Sequence, residues 1–308
     1  MLKIDEQNQQ NRSKVDEAIH ELPTLPSAIA QLIALSISDD RYFEKVKELS
    51  EQDPTFTSRI IQIANSAANA PIEQITSISH AVSRIGTRQI KGLITAIAIA
   101  KIFVPKDQSE LNLWIHSIQV AVASQAIAQM VTKFNVDQEQ AYLCGLLHDI
   151  GRFILFNVVH DGPVRIDEKD WEEPEKLIDA ERKVCGLSHA KLGAHAAKIW
   201  GLPSPITNVI ASHHEYDYQT LTPQEGKEAF LVQIVQMADY LSVLMMREPD
   251  IVSLPPEELQ SLIEDKCVHA SWNCPPVSPL LLQNEVKGIH DRAARIIRGL
   301  GIGIDEEI

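Results

Sequence analysis

Aromatic residues are scarce in this chain, only 5% of 308 residues, while hydrophobic residues make up 44%, with Ala, Ile and Leu prominent. That balance argues against a sandwich or barrel and for packed helices. Cysteine is also sparse. Cys144, Cys185, Cys267 and Cys274 contain no CxxC pair, so neither a disulfide framework nor a zinc ribbon is indicated, and the four read as reduced thiols. Cys267, His269 and Cys274 could suggest a zinc loop, but their spacing fits no usual pattern. Positive charge is in deficit: 28 Lys and Arg face 42 Asp and Glu, for a net charge of −14. This disfavours general binding to nucleic acid or to a membrane surface, both of which need basic patches. A small anion held at a local cationic site is compatible with it. Long apolar runs are missing too. The longest, Leu93 to Val104, is broken by Lys101 and falls short of the ~20 residues that cross a bilayer. The polar start, DEQNQQNRSK, lacks a secretory core, so a cytoplasmic location is expected.

What is present has helical period throughout, without internal repeats. Residues 1–19 read as a polar, frayed arm. Residues 20–105 carry amphipathic helices with clear punctuation. Pro26 suits a first helical position, Asp53-Pro54 a helix start, Gly86 a helix end, Thr87 a cap and Pro105 a stop. Residues 106–250 hold a long helix from Leu111, a helix bearing His148 and Asp149, and an acidic connector. Next come one helix through LIDAERKVCGLSHAKLGAHAAKIW, a helix ending near His213, and a long apolar helix with Asp239. Residues 251–308 add two amphipathic helices, expected to cover the preceding segment, and an acidic tail. The expected fold is all-α.

The stretch around which the rest can be organised is AYLCGLLHDIGRFILF, Ala141 to Phe156. It places His148 beside Asp149 within an apolar helical run, with Ala141, Cys144 and Gly145 on the preceding turns, where a neighbour can approach closely. An ionised carboxylate in such surroundings needs a partner, and a metal ion would satisfy the His and the Asp together.

Further donors lie on other helices: His116, His189, His213, His214 and Asp239. Metal sites in helical bundles are assembled in this way, from inward side chains on facing helices. Imidazole and carboxylate without thiolate suit iron or manganese, with zinc possible. Each residue also has a plainer reading. His116 shares a face with Val120, Ala123 and Ile127, where a hydrogen-bonded core histidine is the commoner outcome. His189 competes with His195, turned roughly 120° away on a helix. His213 and His214 could serve a helix end as cations. Asp239, set among Val232, Val235 and Val243, is harder to dismiss, because a buried carboxylate must be paired, protonated or metal-bound.

The ordered motifs WIHS, LLHDIGR, SHAKLGAHAAKIWGLP, ASHHE and VQMADYLS resemble the HD superfamily of metal-dependent phosphohydrolases. LPTLPSAIAQL, SEQDPTFTSRIIQIANSA and ITSISHAVSRIGTRQIKGL resemble the amino-terminal helices of its HDOD branch, the output domains of bacterial signalling proteins. The resemblance covers roughly residues 20–245. It implies an HD-type helical bundle with an additional amino-terminal helical subdomain and a site for two divalent metal ions. His116, His148, Asp149, His189, His213, His214 and Asp239 would be the ligands, with Asp149 as the bridge. Arg152 falls where relatives place a phosphate-binding cation, so Asp149 and Arg152 are the implied catalytic residues. The implied substrate is a phosphoester or nucleotide cleaved by metal-activated water. The alternative is a non-catalytic module that meets a signalling partner through its amino-terminal helices. After Glu215 the chain reads YDYQTLTP where HD-GYP relatives carry Gly-Tyr-Pro, which counts against cyclic di-GMP as a substrate.

Overall fold

The computed structural model describes residues 2–36, 38–65, 74–131, 135–167, 174–216, 226–272 and 275–302. Every regular element among them is helical. In chain order these are α1 (Leu2–Ala18), α2 (Ser27–Ala34), α3 (Asp40–Gln52), α4 (Pro54–Asn65), α5 (Ile78–Ile85), α6 (Thr87–Ile102), α7 (Gln108–Met130), α8 (Gln138–Leu147) and α9 (Ile150–Val159). They continue with α10 (Asp161–Asp167), α11 (Pro174–Cys185), α12 (His189–Ile199), α13 (Ser204–Ser212), α14 (Gly226–Arg247), α15 (Pro256–Lys266), α16 (Pro279–Gln283) and α17 (Val286–Leu300). The segment YDYQTLTP after its first tyrosine, most of the acidic connector and the acidic tail lie outside the described residues.

Helix α7 is the axis. The Asp107 carboxylate caps its first turn by accepting from the Glu110 N–H at 3.0 Å, and its residues are buried on nearly every side. A helix apolar all round has to be enclosed by other helices, and α8, α14 and α17 pack along α7. The start of α7 is pinned by Trp114, 1% exposed, whose indole N–H donates to the Phe103 carbonyl at 3.0 Å and whose ring meets Phe153 at 4.7 Å. His116 follows two residues later. The amino-terminal helices join this core through α6, which packs on α8. There Lys91 pairs with Glu139 at 2.6 Å in a buried bridge and also donates to the Leu35 carbonyl.

Several local expectations are corrected. The polar arm is helix α1. Asn8, Asn11 and Val15 are buried at helical spacing against the rest of the fold, and the Arg12 guanidinium donates to the Lys183 carbonyl at 2.8 Å. The cap of α6 is Gly86, at φ 95°, with Thr87 already helical. His148 and Asp149 sit between two helices, not within one. Asp149 has φ −98° and ψ 15°, a sparsely occupied region in which active-site residues are often found. The segment read as one helix from Leu177 to Trp200 is two, because Gly186 turns left-handed at φ 84° and Ser188 is extended. Helix α17 does more than cover the second half: it packs against α4 and α6 as well as α7.

Close approach around the break depends on two glycines. A Cβ on Gly145 would lie 2.7 Å from the Val120 carbonyl oxygen of α7, and one on Gly151 would overlap the His189 carbonyl oxygen. Their absence of side chains lets α8 sit down on α7 and α9 cross the start of α12.

Candidate metal centre

Five places in the helical framework deliver the candidate donors to one centre. His116 comes from α7, His148 and Asp149 from the break between α8 and α9, and His189 from the first position of α12. His213 and His214 follow the end of α13, and Asp239 comes from α14. His148 is 1% exposed, His189 and His213 are fully buried, and His116 and Asp149 are each 4% exposed.

The two oxygens of Asp149 face different groups. Oδ2 lies 3.6 Å from Nε2 of both His116 and His148. Those two nitrogens are 3.2 Å apart, and Asp239 Oδ1 stands 3.3 Å from the His116 nitrogen. Oδ1 lies 3.1 Å from His189 Nε2 and 3.5 Å from His213 Nε2. His213 and His214 each bring Nε2 within 3.0 Å of His189 Nε2. Donor atoms of His116, His148 and Asp149 all fall within 4.8 Å of one another, as do those of Asp149, His189, His213 and His214. Ligands about 2.0–2.2 Å from a shared ion have mutual separations of this order.

The far side of each ring fixes its orientation. His148 Nδ1 donates to the Gly145 carbonyl at 2.7 Å, and His213 Nδ1 to the Ile210 carbonyl at 2.9 Å. His116 Nδ1 donates to Ser242 Oγ at 3.0 Å, since the Ser242 hydroxyl proton goes to Gln119 Oε1 at 2.8 Å. His189 Nδ1 donates to Glu181 Oε2 at 2.7 Å, and the same oxygen accepts the His189 backbone N–H at 2.8 Å. Four rings therefore spend Nδ1 on a protein acceptor and turn Nε2 inward. Metal-binding imidazoles are held in this way. Inward lone pairs this close repel one another unless a proton or a cation stands between them, so the donor set fits a divalent cation.

Charge states agree with that fit. Burial pushes His148 down to about 4 against the pull of Asp149. Burial, with His213 and His189 adjoining, holds His214 well below its ordinary range. Burial resists ionisation of Asp149, but His148 and His189 outweigh it and keep the carboxyl well below the usual carboxylate range. Burial likewise opposes charge on Asp239, and the His116 hydrogen bond overcomes it. His189 goes the other way. Burial disfavours its cation, yet Glu181 and Asp149 together raise it to about 10. A positive charge is thus favoured between Glu181 and Asp149, and a metal ion at Nε2 would take the place of that proton.

All seven donors singled out in the sequence converge. His195 does not: it is exposed on α12, six residues from the fully buried His189. Glu181 was not visible from sequence. It is 1% exposed on α11 and lies among ordinary acidic and basic helix residues. Arg152, expected as the catalytic cation that meets phosphate, is instead buried with Nε 3.9 Å from Glu181 Oε1, beside the carboxylate that holds His189. A third donor group, Asp107, Glu110 and His160, ties α7 to the end of α9 as a partly exposed polar cluster.

A cleft of about 720 Å³ opens beside His214 and Glu215. Lys191, His195 and Lys198 of α12 and Arg182 of α11 line one side of it. Asp179 and Glu215 line the same cleft, and Asp179 pairs with Arg182 at 3.4 Å, so on a chain of net charge −14 the unbalanced cations next to the centre are those of α12.

Comparison with known proteins agrees with the helical fold. Residues 22–216 match the HDOD domain family. Over 131 residues the chain is 34% identical to ribonuclease Y of Mycoplasma mycoides subsp. mycoides, covering 42% of this chain and 18% of that protein. Over 156 residues it is 26% identical to 3'3'-cGAMP-specific phosphodiesterase 3 of Vibrio cholerae, covering 49% of this chain and 31% of that one. The chain spans less than half the length of the curated relatives it matches. A solved HDOD domain protein of unknown function from Geobacter sulfurreducens has the same fold, at a TM-score of 0.66 and 23% identity, covering 94% of this chain and 98% of that one. With a family match over more than half its length and the same helical architecture, this chain belongs to the HDOD domain family.

Proposed function

We propose that this HDOD protein is a signalling phosphohydrolase that holds two divalent cations and cleaves a phosphoester or nucleotide. The observation that carries the reading is Asp149, whose two oxygens each face a separate set of inward imidazole nitrogens. Two cations bound there would supply a water of lowered pKa and positive charge facing phosphoryl oxygens. Iron or manganese suits these ligands best, with zinc next.

The protein's own groups do the rest. Asp149 spans both halves of the centre. His116, His148 and Asp239 complete one half, and His189, His213 and His214 the other. Glu181 holds His189 in register, and Arg152 acts through Glu181 as a positioning residue. The cleft over His214 admits the substrate, and the cationic face of α12 attracts its phosphates. Two curated relatives are, by name, a ribonuclease and a cyclic dinucleotide phosphodiesterase, which supports a phosphodiester as the bond attacked.

The test is hydrolysis by metal-loaded protein of bis(p-nitrophenyl) phosphate, cyclic dinucleotides and a short RNA. The reading expects turnover of at least one, abolished in Asp149→Asn. Inactivity across the panel would overturn it. A second reading, a metal that organises a partner surface without chemistry, draws on the depth of the centre, where His148, His189 and His213 are at most 1% exposed. In that case Asp149→Ala loses the metal and partner binding together, hydrolysis is never seen, and partner binding that survives metal loss would exclude it.

A further inference from the structure

A cavity of about 310 Å³ lies away from the metal centre, where the amino-terminal helices meet α7, α8 and α17. Arg84 reaches it from α5, and Arg292 and Arg295 from α17. No carboxylate is among the described residues that line it. Arg292 and Arg295 stand one turn apart on α17, and Arg295 works against the charge of Arg292 while Glu285 supports it, so an anion here would meet two cations whose charge is only partly balanced in a chain of net charge −14. Burial already lowers the pKa of Arg292, with Glu285 opposing and Arg295 adding to the shift.

A second, independent feature is Tyr142 of α8. Its ring lies against Gly92, where a Cβ would collide with it. The residue is 7% exposed and lines the cavity, and its hydroxyl has no hydrogen-bond partner. An unpaired buried hydroxyl costs about 1–3 kcal/mol, which a ligand acceptor would recover. Gln89 and Gln125 also line this space, and Leu93, Val122 and Ile296 give it apolar walls.

We propose that this cavity is a binding site for a mononucleotide-class ligand, with its phosphate on the arginines and its base between the apolar walls. A phosphate matches planar guanidinium pairs. The walls suit a flat ring, and the two amides with the phenol suit its polar edge. The volume is at the lower end for small-molecule sites, which favours a mononucleotide over a dinucleotide. Val122 and Gln125 lie on the helix that carries His116, and Tyr142 on the helix that leads to His148, so occupancy bears on the same two helices as the centre. The proposal does not depend on hydrolysis there.

Calorimetric titration of the full chain with AMP, GMP and inorganic phosphate tests it, in the wild type and in Asp149→Asn. Saturable binding of AMP or GMP, kept in Asp149→Asn, weakened about tenfold or more in Arg292→Glu/Arg295→Glu, and tighter than phosphate is the expected result. Arg295→Gln, a milder change, should weaken it in the same direction, and Tyr142→Phe should weaken it several-fold. Absence of nucleotide binding, binding unaffected by the arginine changes in folded protein, binding lost with Asp149, or phosphate binding as tight as nucleotide would each overturn the proposal.

Discussion

Glu181 grips His189 through a single oxygen, which takes the backbone N–H at 2.8 Å and Nδ1 at 2.7 Å. The contact starts helix α12 and aims one ring at Asp149, so local structure and site geometry share one side chain. Glu181→Gln keeps the volume but not the charge. Loss of such an outer partner costs about 10–100-fold in metal affinity. Competition titration with a metal-binding dye checks this, and unchanged affinity would remove Glu181 from the account.

The two halves of the centre should separate by substitution. Asp149 faces both sets of imidazoles, whereas Asp239 stands beside His116 in one half. Asp149→Asn is therefore expected to lose both ions and Asp239→Asn only one. Metal content after exhaustive dialysis reads the difference directly. Equal losses in the two variants would contradict a bridging role.

Gly151→Ala sets two effects against each other. Alanine gains up to about 1 kcal/mol of helix propensity over glycine. The added Cβ, however, meets backbone, the His189 carbonyl, which cannot rotate away, and overpacking of this kind costs about 1–3 kcal/mol or more. Net destabilisation by denaturant unfolding, together with weaker metal binding, is expected. Stabilisation would mean that α9 and α12 do not cross as described.

Lys191 and Lys198 are exposed on α12 beside the cleft, so their contribution is screened. Lys191→Glu/Lys198→Glu should raise KM for a substrate with several phosphates about three- to tenfold, with less effect as salt rises. kcat should change little. A drop in kcat at constant KM would place these lysines elsewhere in the reaction.

The candidate donors were legible because each lies on a largely apolar helix or at its end, where a His or Asp stands out. Their joint occurrence on separate helices pointed to convergence and the family likeness assigned them as one ligand set; the structure places all seven around one centre. Glu181 was illegible: one carboxylate in AERK looks like solvated helix surface, and only the turn at Gly186 swings it back over His189. The choice between His189 and His195 needed the same turn, since it makes His189 the first residue of α12 and leaves His195 outside. Helix α1 is hard to read from sequence because, among its residues whose burial is described, two of the three buried ones are asparagines, which carry no hydrophobic period. The break at His148-Asp149 was hidden by apolar residues continuing on both sides.

Anomalous diffraction from crystals of the metal-loaded protein reads directly whether Asp149 joins two ions. Two peaks flanking the Asp149 carboxylate are expected, one within about 2.0–2.3 Å of Nε2 of His116 and His148 and the other equally close to His189 and His213. A single peak away from Asp149, or none with the rings satisfied by one another, would contradict it.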